Sequence, residues 1–150
     1  MTGDEGNRIR KFCSYRERCT SEVMHELAGW GIRGDAADKL LEELRKEGYL
    51  DDVRFARTFA GSKFRINGWG RIRIRMELAS RRIPEELIAV GLGEIPDEEY
   101  AAALEEILEK KSREIKGEKK WTVRQKLFNF ATGRGFEPPL VIEAINNLKS

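Results

Sequence analysis

Residues 71–83 read RIRIRMELASRRI, and two periods compete in them. Ile72, Ile74, Met76 and Leu78 alternate strictly with Arg71, Arg73, Arg75 and Glu77, which by period alone is a half-buried strand. Ile74 and Leu78 are also four residues apart, the spacing of one face of a helix. The choice decides the fold class, because the remaining segments read as helices.

A repeat resolves it. Val23, Leu27 and Ile32, then Ile74, Leu78 and Ile83, then Leu127, Ala131 and Phe136 all follow a spacing of four and then five residues. In each copy the last apolar residue ends a short basic or glycine-containing loop, and another striped helix follows. Those helices carry Leu40, Leu41 and Leu44; Leu87, Ile88 and Val90 after Pro84; and Val141, Ala144, Ile145 and Leu148 after Pro138 and Pro139. Proline suits a first helical turn because its missing N–H has no partner there anyway. Upstream, Asp52-x-x-Phe55-Ala56 matches Asp97-x-x-Tyr100-Ala101. The period is roughly fifty residues, the mark of tandem modules. Agreement between copies outweighs the local alternation and predicts a helix over 71–80. The expected fold is all-α, built of three tandem three-helix repeats: a flexible tail over 1–6, then modules over 7–48, 49–95 and 96–150.

The other elements follow from local signals. Ile9, Phe12, Cys13 and Tyr15 weakly pattern a first helix over 7–19. Thr20 or Ser21 caps a second, with Val23, Met24, Leu27 and Trp30 on its apolar face. A third opens near Asp35, places Ala36, Ala37, Leu40, Leu41 and Leu44 on one face, and stops at Gly48. Asp51 and Asp52 precede the stripe Phe55, Ala56, Phe59, Ala60 and Phe64, so they read as N-cap residues and not as a catalytic pair. Residues 67–70 form a turn. From Pro96 an acidic helix carries Tyr100, Leu104, Ile107 and Leu108, and then turns basic toward Trp121.

The net charge of +2 averages over unlike regions. Lys63, Arg65, Arg71, Arg73, Arg75, Arg81 and Arg82 meet only Glu77 as an acid, whereas residues 85–109 contain no Lys or Arg. Acid early and base late along 97–120 suits the helix dipole, yet Lys119 and Lys120 exceed what a dipole needs. Together these cations are the candidate filament- or nucleic-acid-binding residues, since a basic block is a footprint for a polyanion. The competing account pairs the arginines with the acids over 85–99. Trp69 is either a core plug or a stacking surface, with the core favoured; Trp30 and Trp121 are assigned to cores.

Several classes are set aside. With 40% hydrophobic residues and mean hydropathy of -0.57 the chain can build a core, so disorder throughout is not expected. It has no apolar run of membrane-spanning length and no signal-peptide segment, which points to the cytoplasm. Cys13 and Cys19 are read as reduced thiols, and His25 as a helix residue without a role; neither cofactor nor metal is expected. Phosphate-binding loop, nucleophile elbow and metal-ligand spacing are all missing, so the expectation is not an enzyme.

Tyr49-Leu50-Asp51-Asp52 with Arg54-Phe55-Ala56, the glycine-rich turn, Arg73 to Leu78 and Arg81-Arg82-Ile83 resemble the RecX family, bacterial modulators of the RecA recombinase. Arg16 to Glu22 and Arg134-Gly135-Phe136 extend the resemblance over most of the chain. It implies an elongated, curved molecule that lodges in the groove of the RecA–single-stranded DNA filament and lowers ATP hydrolysis and strand exchange. Recombination, DNA repair and the SOS response are the implied setting. The implied partners are the filament and single-stranded DNA, bound without sequence preference and in a salt-sensitive way, with no membrane and a monomeric chain. Arg73, Arg75 and Arg81 occupy the family's basic positions. Arg71 stands where the family commonly has proline, and Arg81-Arg82 where it commonly has Lys-Gly, so a loop glycine is lost. The alternatives are a helix-turn-helix-like DNA-binding regulator without RecA and an adaptor whose charges serve only solubility.

Overall fold

Ile74 and Leu78 are fully buried, while Ile72 and Met76 are 41% and 66% exposed. A strand would have placed all four on one face; burial of residues four apart is the helical solution. The computed structural model describes residues 3–148. Among them are nine helices and no strand: α1 (Gly3–Tyr15), α2 (Thr20–Gly29), α3 (Gly34–Lys46), α4 (Asp52–Arg65), α5 (Arg71–Ser80), α6 (Glu85–Leu92), α7 (Asp97–Glu114), α8 (Lys120–Gly133) and α9 (Pro138–Asn146). The triplets lie as the repeat requires, with Val23, Leu27 and Ile32, Ile74, Leu78 and Ile83, and Leu127, Ala131 and Phe136 all buried.

The contacts divide the chain into two compact units. The first runs to Phe59 and includes Leu78–Gly91; the second comprises Ala60–Glu77 and Leu92 onward. In the first, α3 turns Ala37, Leu40, Leu41 and Leu44 into a core shared with Ile9, Val23 and Leu27, and Trp30 packs at its edge. Burying each of these leucine, isoleucine and valine side chains is worth about 2 kcal/mol. Ala36 and Met24, expected on these faces, are exposed.

Two expectations need correction in this unit. The chain is already helical at Gly3, where a tail over 1–6 was expected; Asp4 and Glu5 sit in the first turn of α1, where the helix dipole favours carboxylates. Residues 1 and 2 of that tail lie outside the described residues. The cap of α2 is Cys19, not Thr20 or Ser21. The Thr20 N–H is taken by the Asp52 carboxylate at 2.8 Å, and the Ser21 hydroxyl donates to the Arg81 carbonyl at 2.7 Å. The Cys19 N–H in turn donates to Glu22 at 3.1 Å. Asp51 does cap α4, accepting from the N–H groups of Val53 and Arg54 at 3.0 and 3.1 Å.

The second unit is organised around Tyr100, whose ring lies 5.6 Å from that of Phe64 and 5.0 Å from that of Phe136. Its two turns, 67–70 and 134–136, are stitched backbone to backbone. The Gly70 N–H donates to the Arg134 carbonyl at 2.8 Å and the Ile72 N–H to Gly135 at 3.0 Å. Trp121, expected in a core, is 70% exposed, because the buried face of α8 is formed by Leu127 and Ala131.

Candidate nucleic-acid interface

Arg71 opens α5 and is held internally. Its guanidinium lies 3.8 Å over the Tyr100 ring and reaches Asp97 at 2.6 Å and Glu137 at 3.2 Å. Its own backbone N–H donates to the Tyr100 hydroxyl at 2.9 Å, and that hydroxyl donates to Glu137. Burial first, and then the bond to Glu137, push the Tyr100 phenol well above its ordinary value, so it stays a neutral donor. Arg65 is likewise engaged. Its planar fork meets Glu99 at 2.8 and 3.0 Å, which holds the Glu99 carboxyl below the usual carboxylate range. These two cations follow the intramolecular account, in which the acidic stretch neutralises arginines upstream of it.

Trp69 is half-buried, with Lys63 at 5.0 Å and Arg73 at 4.1 Å from its ring centroid. It is therefore neither a full core plug nor an open stacking face, and the cation–π contacts orient two of the candidate cations. Helix geometry puts Arg73 and Arg75 on opposite flanks of the buried Ile74 stripe, so these two do not converge. Both are exposed.

In the first unit, the Arg81 guanidinium lies 4.8 Å over Phe59, and Arg82 is exposed. Arg82 has φ +60°, the one non-glycine positive φ among the described residues. It occupies a left-handed position that glycine adopts without cost, at about 1–2 kcal/mol for any other L-residue. Arg82→Gly is expected to raise Tm by about 2 °C, the relief being partly offset by glycine's freer unfolded chain. A thermal melt showing destabilisation would mean that the arginine makes compensating contacts.

Lys119 occupies the N-cap position of α8 without a side-chain capping bond and Lys120 is its first residue; both are exposed and make no ion pair among the described residues. Cations are disfavoured at a helix N-terminus, so this placement works against local stability. Nearby, Lys126 takes the one acid of the stretch, Glu118, at 2.8 Å.

Sequence reasoning did not place Arg134 and Lys111 among the candidate cations; they lie 4.8 and 4.9 Å from the Phe130 ring. It also missed the Tyr100–Glu137 pair. A signal for the latter exists, because the repeat places Tyr100 where Phe55 stands in the preceding copy, and a buried hydroxyl demands a partner. No group of three or more potential metal ligands occurs among the described residues, and none of their helices is long and apolar enough to cross a membrane.

A family model of the second three-helix domain of RecX matches residues 51–92, and one of the third three-helix domain matches residues 97–145. The regulatory protein RecX of Chlorobium phaeobacteroides is 31% identical over 133 residues, covering 89% of this chain and 85% of that one. That of Lactobacillus delbrueckii is 33% identical over 91 residues, covering 61% of this chain but only 34% of the relative's length. The crystal structure of RecX from Lactobacillus salivarius is similar with a TM-score of 0.89, over 97% of this chain and 95% of that one, at 17% identity. The last likeness establishes a shared all-α fold.

Proposed function

The chain belongs to the RecX family of regulatory proteins, and on that footing we propose that it inhibits RecA by occupying the RecA–single-stranded DNA filament. It lowers ATP hydrolysis and strand exchange without chemistry of its own, acting as a cytoplasmic monomer in recombination and DNA repair. Regulation by occupancy needs a surface, and the family resemblance supplies the partner. The observation that carries the surface part of the reading is the pair Lys119 and Lys120, two exposed cations with no ion pair among the described residues, at a helix end that disfavours them. Arg73 and Arg75 add exposed charge on α5, whereas Arg65 and Arg71 are committed to Glu99, Asp97 and Glu137 and contribute less to an external polyanion.

The test is the single-stranded-DNA-dependent ATPase rate of RecA with increasing amounts of this protein. Dose-dependent inhibition that weakens with salt is expected. A variant carrying Glu at 73, 75, 119 and 120, verified as helical by circular dichroism, should need about tenfold more protein or beyond for the same inhibition. Absence of inhibition by the unmodified chain would overturn the reading. If tight binding to one duplex sequence accompanied that absence, the DNA-binding regulator would replace it.

A further inference from the structure

Trp121 has no role in the core and no cation over its ring among the described residues. The other two tryptophans differ: Trp30 has Arg8 at 4.1 Å, and Trp69 has Lys63 and Arg73. The Trp121 indole, 70% exposed, stands at the edge of an open groove of about 410 Å³ between α8 and α9. Arg124, Gln125 and Phe128 line it on α8, and Ile142 and Ile145 on α9, with Ile142 itself 49% exposed. Arg124 donates to Asn146 at the rim. Residues 116–126 hold Lys116, Lys119, Lys120, Arg124 and Lys126 against Glu118 alone, and Lys126 pairs with that acid.

We propose that this groove seats an unpaired base of a single-stranded nucleic acid against Trp121, with Lys119 and Lys120 meeting the flanking phosphates. The proposal rests on the filament reading above and names the helix that meets the strand. An uncovered aromatic face beside unneutralised lysines is the combination that binds single strands without sequence preference, because every base has a face to stack and every nucleotide a phosphate. A duplex is a poorer fit, since its bases already stack on each other.

The experiment titrates the full chain with oligo-dT, reading tryptophan fluorescence, for the unmodified protein, Trp69→Phe and Trp121→Ala. Quenching is expected in the first two. Trp121→Ala should bind about tenfold more weakly, as loss of one stacked base implies. Its circular dichroism should be unchanged, because the side chain is exposed. Equal affinity of Trp121→Ala and the unmodified chain would overturn the proposal. So would unchanged oligo-dT binding with lost binding to DNA-free RecA, which would make the groove a protein-docking surface. The RecA ATPase assay run in parallel separates the two readings. Inhibition without oligo-dT binding leaves the filament function standing and removes this site; Trp121-dependent oligo-dT binding without inhibition does the reverse.

Discussion

Gly70→Ala is expected to cost about 3 kcal/mol or more and to lower Tm by roughly 10 °C. A Cβ at this position would lie 2.3 Å from the Gly135 carbonyl carbon and the Phe136 nitrogen, and 2.4 Å from the Gly135 oxygen. All three are backbone atoms, so no side chain can swing aside. The segment they belong to is anchored by the bonds from Gly70 to Arg134 and from Ile72 to Gly135, and by the buried Phe136 ring against Tyr100. Relief therefore requires separating two stitched turns and opening the aromatic cluster between them. Gly133→Ala is the control: nothing lies within 4 Å of its Cβ and its φ is not left-handed, so alanine there should be neutral or stabilising by up to about 1 kcal/mol. Thermal melts followed by far-ultraviolet circular dichroism would decide. A Gly70→Ala protein as stable as the Gly133→Ala protein would mean that the two turns are not in contact in solution.

The second large effect tests the register of the stretch that decides the fold. Ile74→Asp should destabilise by about 4 kcal/mol, because it places a carboxylate without a partner at a position with no solvent access. Met76→Asp, two residues on, should stay within about 0.5 kcal/mol, since that side chain is mostly in water. In a strand, residues 74 and 76 would share a face and the two substitutions would cost the same. Comparable denaturant midpoints for the pair would overturn the helical register.

Much of the fold was legible because its signals are local and repeated. The triplets at 23, 74 and 127 recur with one spacing, and a helix is what satisfies Ile74 with Leu78 and also Val23 with Leu27. Asp51 could be read as a cap because an N-terminal carboxylate meets N–H groups only two and three residues on. The candidate interface was less legible, because a charge in sequence says nothing about its neighbour in space. Arg65 is consumed by Glu99, 34 positions away, and Arg71 by Glu137, 66 positions away. Neither pairing leaves a periodic trace.

What the sequence determined by itself is the helical class, the tandem repeat, the buried stripes of α3, α4 and α7, and the basic character of the 63–82 and 119–120 stretches. The stripes and the charge depend on residues within a few turns of one another, and the repeat on the recurrence of one local pattern about every fifty residues. What only the tertiary structure decided is which groups remain to bind anything else. Cys19 holds the N-cap position of α2 while Asp52 and the Arg81 carbonyl bond its two neighbours; Trp121 faces solvent because Leu127 and Ala131 take the buried side of α8; Glu118 bonds Lys126, and neither Lys119 nor Lys120 has an ion pair among the described residues. The reason is the same in each case: partners are assigned by distance in the folded chain, which the order of residues along the sequence does not display.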